Sequence, residues 1–139
     1  MSNTHYDSQR KAAQQGKKIL LVDDSSTTLL VEEMVLREHT QYGLLLARNG
    51  EEAVQKAIAE EPNLILMDVV MPRMNGFEAC REMRKHEVLR KVPIIMVTSR
   101  GESCNVEQGF ESGCNDYVTK PINGAELVEI VNGYLMAQG

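Results

Sequence analysis

Apolar residues fall along the chain in short blocks rather than evenly. Ile19-Leu20-Leu21-Val22, Leu44-Leu45-Leu46-Ala47 and Leu64-Ile65-Leu66-Met67 are unbroken runs of strand length, the pattern of strands covered on both faces. Pro93-Ile94-Ile95-Met96-Val97-Thr98 reads as a fourth strand, with proline tolerated at its first residue, and Tyr117-Val118-Thr119 as a short fifth. Between the runs the apolar period lengthens to that of a helix. Leu30, Met34 and Val35 predict a helix from the N-cap hydroxyls of Ser25 and Ser26 to about His39. Asn49-Gly50 turns the chain into Glu51–Glu61, where Ala53, Val54, Ala57 and Ile58 share a face, acids open the helix, and Pro62-Asn63 ends it. Phe77, Cys80 and Met83 mark a third helix from about Gly76 to Lys85, followed by a charged connection over His86–Val92. A weaker helix opens at Ser99-Arg100-Gly101 with only Val106 and Phe110 on its apolar face, and Gly113 caps it near Ser112. Lys120-Pro121 then bends into a last helix carrying Leu127, Val128, Val131 and Leu135.

Five strands alternating with five helices, at crossover spacing, imply an α/β domain with a parallel sheet and helices on both faces. Function in such sheets lies at the carboxyl ends of the strands. Residues 1–16 lack any hydrophobic period and read as a disordered arm, leaving 17–139 as one domain.

Composition narrows the classes without adding a function. A chain of 139 residues with 42 % hydrophobic and 25 % charged residues is an ordinary globular domain that needs no disulfide staples. No run is long enough to span a membrane and no secretory signal opens the chain, so a cytoplasmic protein is expected. Cys80, Cys104 and Cys114 show no CxxC spacing and no metal-like pairing with His5, His39 or His86, which favours reduced, space-filling thiols. The net charge of −5 and the absence of a basic run argue against a nucleic-acid surface.

Chemistry collects where the strands end. The first is followed by Asp23-Asp24, the third by Asp68, the fourth closes on Thr98 and the fifth leads to Lys120. Each has an ordinary explanation alone: Asp24 as a helix cap, Asp68 as a turn residue, Thr98 as a β-favouring residue, Lys120 as a solvated lysine. Their coincidence on one edge is what points to a site. Three converging carboxylates need a cation or a proton, and hard oxygen ligands of this kind suit Mg²⁺.

The sequence resembles the receiver domains of bacterial two-component response regulators, in Leu21-Val22-Asp23-Asp24, in Leu66-Met67-Asp68-Val69-Val70-Met71-Pro72-Arg73-Met74-Asn75-Gly76, in Val97-Thr98-Ser99 and in Tyr117-Val118-Thr119-Lys120-Pro121. The resemblance runs from about Lys18 to Met136. It implies a flavodoxin-like, doubly wound sheet in the order 2-1-3-4-5, with Asp68 as phosphoacceptor. Asp23, Asp24, Asp68 and the backbone carbonyl of Val70 would hold Mg²⁺, Thr98 and Lys120 would contact the phosphoryl group, and the Lys120-Pro121 bond would be cis. Thr98 and Tyr117 would form a switch acting on the face built from the fourth helix, fifth strand and fifth helix. Val70 and Arg100 would tune dephosphorylation, and because neither carries an amide or carboxylate to orient water, a long-lived phosphorylated form is expected. The implied donor is a phosphohistidine on a sensor histidine kinase or a histidine phosphotransfer protein. The output would be a downstream protein target, with the chain a monomer or a weak dimer through the switch face.

With no DNA-binding or enzymatic segment after Gly139, the expectation is a stand-alone phosphoacceptor, not an enzyme beyond its own phosphorylation and dephosphorylation, although a receiver cut from a longer regulator would look the same. Two other classes compete. A receiver-like scaffold acting without phosphorylation would usually lack one of the five strand-end residues. An aspartate-nucleophile phosphatase of the haloacid-dehalogenase type wants a second Asp two residues after the first, where Val70 stands. No P-loop or GxGxxG supports a nucleotide enzyme.

Overall fold

The structure, a computed structural model, describes residues 14–99 and 106–138, with Val106 described by its backbone alone. Five strands, β1 (Lys18–Val22), β2 (Gly43–Ala47), β3 (Leu64–Asp68), β4 (Ile94–Ser99) and β5 (Asp116–Lys120), form one parallel sheet in the order β2-β1-β3-β4-β5. The helices are α1 (Ser26–His39), α2 (Gly50–Glu60), α3 (Gly76–Arg84), α4 (Val106–Ser112) and α5 (Gly124–Leu135), with short 3-10 turns at Glu87–Leu89 and Met136–Gln138.

The pleat sends successive side chains to opposite faces, so each apolar run feeds two cores. Ile19, Leu21, Leu64, Leu66, Ile95, Val97 and Val118 meet α1 and α5 through Leu29, Leu36, Leu127, Val131 and Leu135. On the other face Leu20, Val22, Ile65, Met67, Ile94 and Met96 meet α2 and α3 through Ala53, Ala57, Phe77, Cys80 and Met83. Fully burying one such aliphatic side chain contributes roughly 1.5–3 kcal/mol.

Local chemistry sets the helix ends. Ser25 caps α1 by accepting from the Thr28 N–H, Asn49 caps α2, and Asn123 caps α5. Asn75 and Glu78 close a capping box at the start of α3. Glu61 ends α2 in the left-handed region, directly before Pro62.

Several expectations need correction. On α1 the inner stripe is Leu29, Glu32 and Leu36, whereas Leu30 and Met34 are exposed and Val35 is only half-buried. Apolar residues surround most of this helix, so its period did not single out the buried face. Among the described side-chain positions of α4, 107–112, Gly109 and Ser112 are buried, while Phe110 is half-exposed and rests edge-on against Tyr117, with ring centroids 5.6 Å apart. The connection after α3 is not merely charged, because Leu89 is buried within its 3-10 turn. The stretch read as a disordered arm reaches into the fold at its end: Gln14 is buried, donates to Asn132 Oδ1 and accepts from the Gln41 N–H. Residues 1–13, Arg100 and Cys104 lie outside the described residues. Cys80 and Cys114 are buried free thiols.

Candidate active site

Register brings the strand ends level. Val22 pairs with Met67, Asp68 with Val97, Thr98 with Thr119 and Ser99 with Lys120. Just past the strands, the Asp23 N–H donates to Ala47 O at 3.1 Å and the Val69 N–H to Val97 O at 3.1 Å, so the backbone beside both aspartates is held by neighbouring strands. Alternation then sorts the side chains. Asp68 and Lys120 share strand parity with Leu66 and Val118, and Asp23 continues that of Leu21, which places all three toward the α1 and α5 side. Thr98 has the parity of Met96, and Tyr117 packs against that same opposite core. The charged groups and the Thr98–Tyr117 pair therefore approach the edge from different faces.

One oxygen from each of Asp23, Asp24 and Asp68 lies within 4.8 Å of the others. Asp23 and Asp68 are buried and Asp24 is exposed at the rim. Lys120 Nζ stands 3.0 Å from Asp23 Oδ2 and 3.4 Å from Asp68 Oδ2. Asp23 Oδ1 accepts the Ser25 N–H at 2.8 Å. Burial, followed by the Asp23 charge, pushes the Asp68 carboxyl up to about 6, against the pull of Lys120 and a hydrogen bond from the Val70 N–H. Burial alone would lower the Lys120 ammonium, but its carboxylate partners hold it above its usual value.

The loop after Asp68 folds back tightly. The Gly76 N–H donates to Val69 O at 2.8 Å, and a Cβ on Gly76 would fall 2.4 Å from the Asp68 carbonyl oxygen. Only glycine lets α3 start this close to the aspartate. The side chain of Val70 is exposed at the mouth, beside Asp68.

The family model of the response regulator receiver domain matches residues 19–132. The chain belongs to the response regulator receiver domain family. Among its relatives, the transcriptional regulatory protein ResD of Bacillus subtilis is 41 % identical over 98 residues, covering 70 % of this chain and 40 % of ResD. Protein PilH of Pseudomonas aeruginosa is 37 % identical over 92 residues, 66 % of this chain and 76 % of PilH. This receiver domain thus spans well under half the length of relatives such as ResD. Its fold also matches the chemotaxis protein CheY4 of Vibrio cholerae, with a TM-score of 0.80, 29 % identity, and 86 % of this chain and 98 % of that one covered. The receiver domain of the sensor histidine kinase PA1611 of Pseudomonas aeruginosa, with a magnesium ion coordinated in its active site cleft, gives a TM-score of 0.80 at 36 % identity, over 87 % and 98 % of the two chains.

The site residues expected from the sequence cluster as follows. Asp23, Asp24, Asp68 and Lys120 come together, Val70 adjoins Asp68, Thr98 ends buried one strand away, and Tyr117 packs against Gly109 and Phe110 of α4. Arg100 lies outside the described residues. Sequence reading missed Glu32, which is 1 % exposed on α1 and whose Oε1 has no hydrogen-bond partner. Its spacing from Leu29 and Leu36 was the available signal. Burial, then the Asp23 charge, pushes its carboxyl up to about 8, with Lys120 opposing and Asp68 adding to the rise.

Three carboxylates facing one ammonium leave negative charge uncompensated in a buried crevice, and hard oxygen donors of this number fit a small divalent cation. No described helix is long and apolar enough to cross a membrane.

Proposed function

We propose that Asp68 is the phosphoacceptor of this receiver domain, loaded with Mg²⁺ from a phosphohistidine on a sensor kinase or phosphotransfer protein. The observation that carries the reading is Asp68 itself, a buried strand-end carboxylate facing two further aspartates and a lysine.

An Asp68 oxygen attacks phosphorus, the P–N bond to the donor imidazole breaks with its electron pair passing to the nitrogen, and an acyl phosphate forms on Asp68. Positioning and charge neutralisation supply most of the catalysis in such transfers. Asp23, Asp24, Asp68 and the Val70 carbonyl would hold Mg²⁺, which supplies charge neutralisation for the phosphoryl oxygens. Lys120 leaves its carboxylate partners to pair with one phosphoryl oxygen, as a point charge on a flexible stem can. Thr98 donates its hydroxyl to another. Water attacking phosphorus later returns phosphate and the free carboxylate. Val70 offers no group to orient that water, which supports a slow loss of the phosphoryl group, with Arg100 as the second tuning position.

Output follows from the β5 edge of the sheet. Movement of Thr98 toward the phosphoryl group changes the space beside Tyr117, and the surface of α4, β5 and α5 changes with it, altering affinity for a protein target.

The test is intact mass after incubation with Mg²⁺ and acetyl phosphate. One phosphoryl group on the native chain and none on Asp68→Asn is expected. No addition to the native chain, under conditions that label another receiver, would leave a phosphorylation-independent scaffold as the better reading.

A further inference from the structure

The chain enters the fold beside an open groove. This groove, of about 530 Å³, is lined by His39 at the end of α1 and by Gly124, Ala125, Val128, Glu129 and Asn132 of α5. The α5 positions recur every three or four residues and so share one face of the helix, and a Cβ on Gly124 would come 3.4 Å from Val35 Cγ1, one turn before His39 on α1. Asn132, at one end of the groove, holds the start of the described chain. Its Oδ1 accepts from Gln14 Nε2 at 3.3 Å and from the Tyr42 hydroxyl at 2.5 Å, while Gln14 Oε1 accepts the Gln41 N–H at 2.7 Å. Gln14 is buried, so residues 1–13 are tethered firmly at that end.

We propose that residues 1–13 of this chain occupy the groove between α1 and α5, with Tyr6 over Gly124 and Ala125 and Arg10 beside Glu129.

Length, side chains and charge agree on this register. Gln14 has helical backbone. At a helix's rise of about 1.5 Å per residue, the step from Tyr6 to Gln14 equals the step from Gly124 to Asn132, roughly 12 Å each. Tyr6, Arg10 and Ala13 then share a face, as do Gly124, Val128 and Asn132. The tyrosine ring falls where α5 offers only a glycine and an alanine, which leave room for it. Arg10 meets Glu129, the acid in the groove's lining, and Arg10 and Lys11 against Asp7 make the segment net positive on a chain of net charge −5. A segment fixed at one end of its site also acts at an effective concentration in the millimolar range, so modest contacts suffice to hold it. Gly124 opens α5 four residues after Lys120, which sets the Tyr6 end of the segment at the end of α5 nearest the candidate site; release of the segment uncovers the groove there.

The chain has no tryptophan, so Tyr6→Trp installs a single fluorescent reporter. Its acrylamide quenching constant should be at least about threefold below that of the same chain carrying Ala125→Lys, which fills the groove and repels Arg10. Urea unfolding of both proteins verifies a cooperative fold. The shielding should be independent of protein concentration, as a contact within one chain requires. Equal quenching in the two proteins, whether both are shielded or both open, would overturn the proposal. Shielding that grows with concentration would overturn it too, by assigning the groove to a second copy. Amide NMR spectra test the tyrosine itself: Tyr6→Ser in the otherwise native chain should shift the resonances of Gly124, Ala125 and Val128, and shifts confined to the neighbours of position 6 in sequence would contradict the docking. Neither measurement uses phosphorylation, so failure here leaves the reading of Asp68 intact.

Discussion

Replacing Glu32 by glutamine should make the domain more stable, and increasingly so as pH rises. The carboxyl is held at about 8 in the fold against 4.5 when free, chiefly by burial and secondarily by Asp23. Between those values the native state keeps a proton that the unfolded chain has lost, so native stability falls as pH rises through the window and levels off above about 8. At about 1.36 kcal/mol per unit, the span amounts to roughly 5 kcal/mol, a large part of the ~5–15 kcal/mol that holds an ordinary domain together. Glutamine keeps the shape and removes the titration. Urea unfolding followed by far-UV circular dichroism, in EDTA at several pH values from 5.5 to 8.5 for native and Glu32→Gln chains, reads the difference directly. With a slope of about 2 kcal/mol per molar urea, the variant's midpoint should lead the native one by about 2.5 M at pH 8.5, and the gap should narrow toward pH 5.5. Native and variant curves running parallel across the whole range would refute the reasoning.

Asp68→Asn should also stabilise the metal-free domain, by roughly 2 kcal/mol at pH 7.5, because a carboxyl raised from 3.8 to about 6 weakens the fold as pH climbs through that interval; urea midpoints at pH 4 and 7.5 give the comparison. Arg84→Met should cost about 3 kcal/mol, since this guanidinium donates to the carbonyls of Gly113, Leu89 and Val92 and to Asn115 Oδ1, tying the end of α3 to the connection that leads into β4 and to the turn that leads into β5; thermal melts check it. Gly109→Ala places a methyl 1.5 Å from the Tyr117 hydroxyl oxygen, so the ring must leave its seat beside Phe77; a shifted Tyr117 ring resonance and a net loss of about 1 kcal/mol are expected, despite alanine's better helix propensity.

What was legible in the sequence follows from how many independent signals agreed at each place. The strands were readable because β1, β3 and β4 are buried on both faces and so are nearly all apolar, and the strand-end acids stood out against them. Asp23, Asp68 and Lys120 then needed only the sheet's register to meet. The face of α1 was misread, because Leu29, Leu30, Val31, Met34, Val35 and Leu36 leave no clean polar side from which to judge its phase. That error hid Glu32, which looks like half of a solvated Glu32-Glu33 pair until Leu29 and Leu36 are known to face inward. The seat of Tyr117 was hidden for a different reason: a glycine at position 109 reads as a weak helix residue, and only the close approach of the tyrosine shows why a side chain is missing there.

The phosphoryl group is expected to reside on Asp68. Borohydride reduction converts an acyl phosphate on aspartate to homoserine, so peptide mass spectrometry after treatment with acetyl phosphate and Mg²⁺ locates the modified residue. Homoserine at position 68, absent when acetyl phosphate is withheld, is the predicted result. Homoserine at Asp23 or Asp24 instead, or none in a protein that had gained a phosphoryl group, would contradict it.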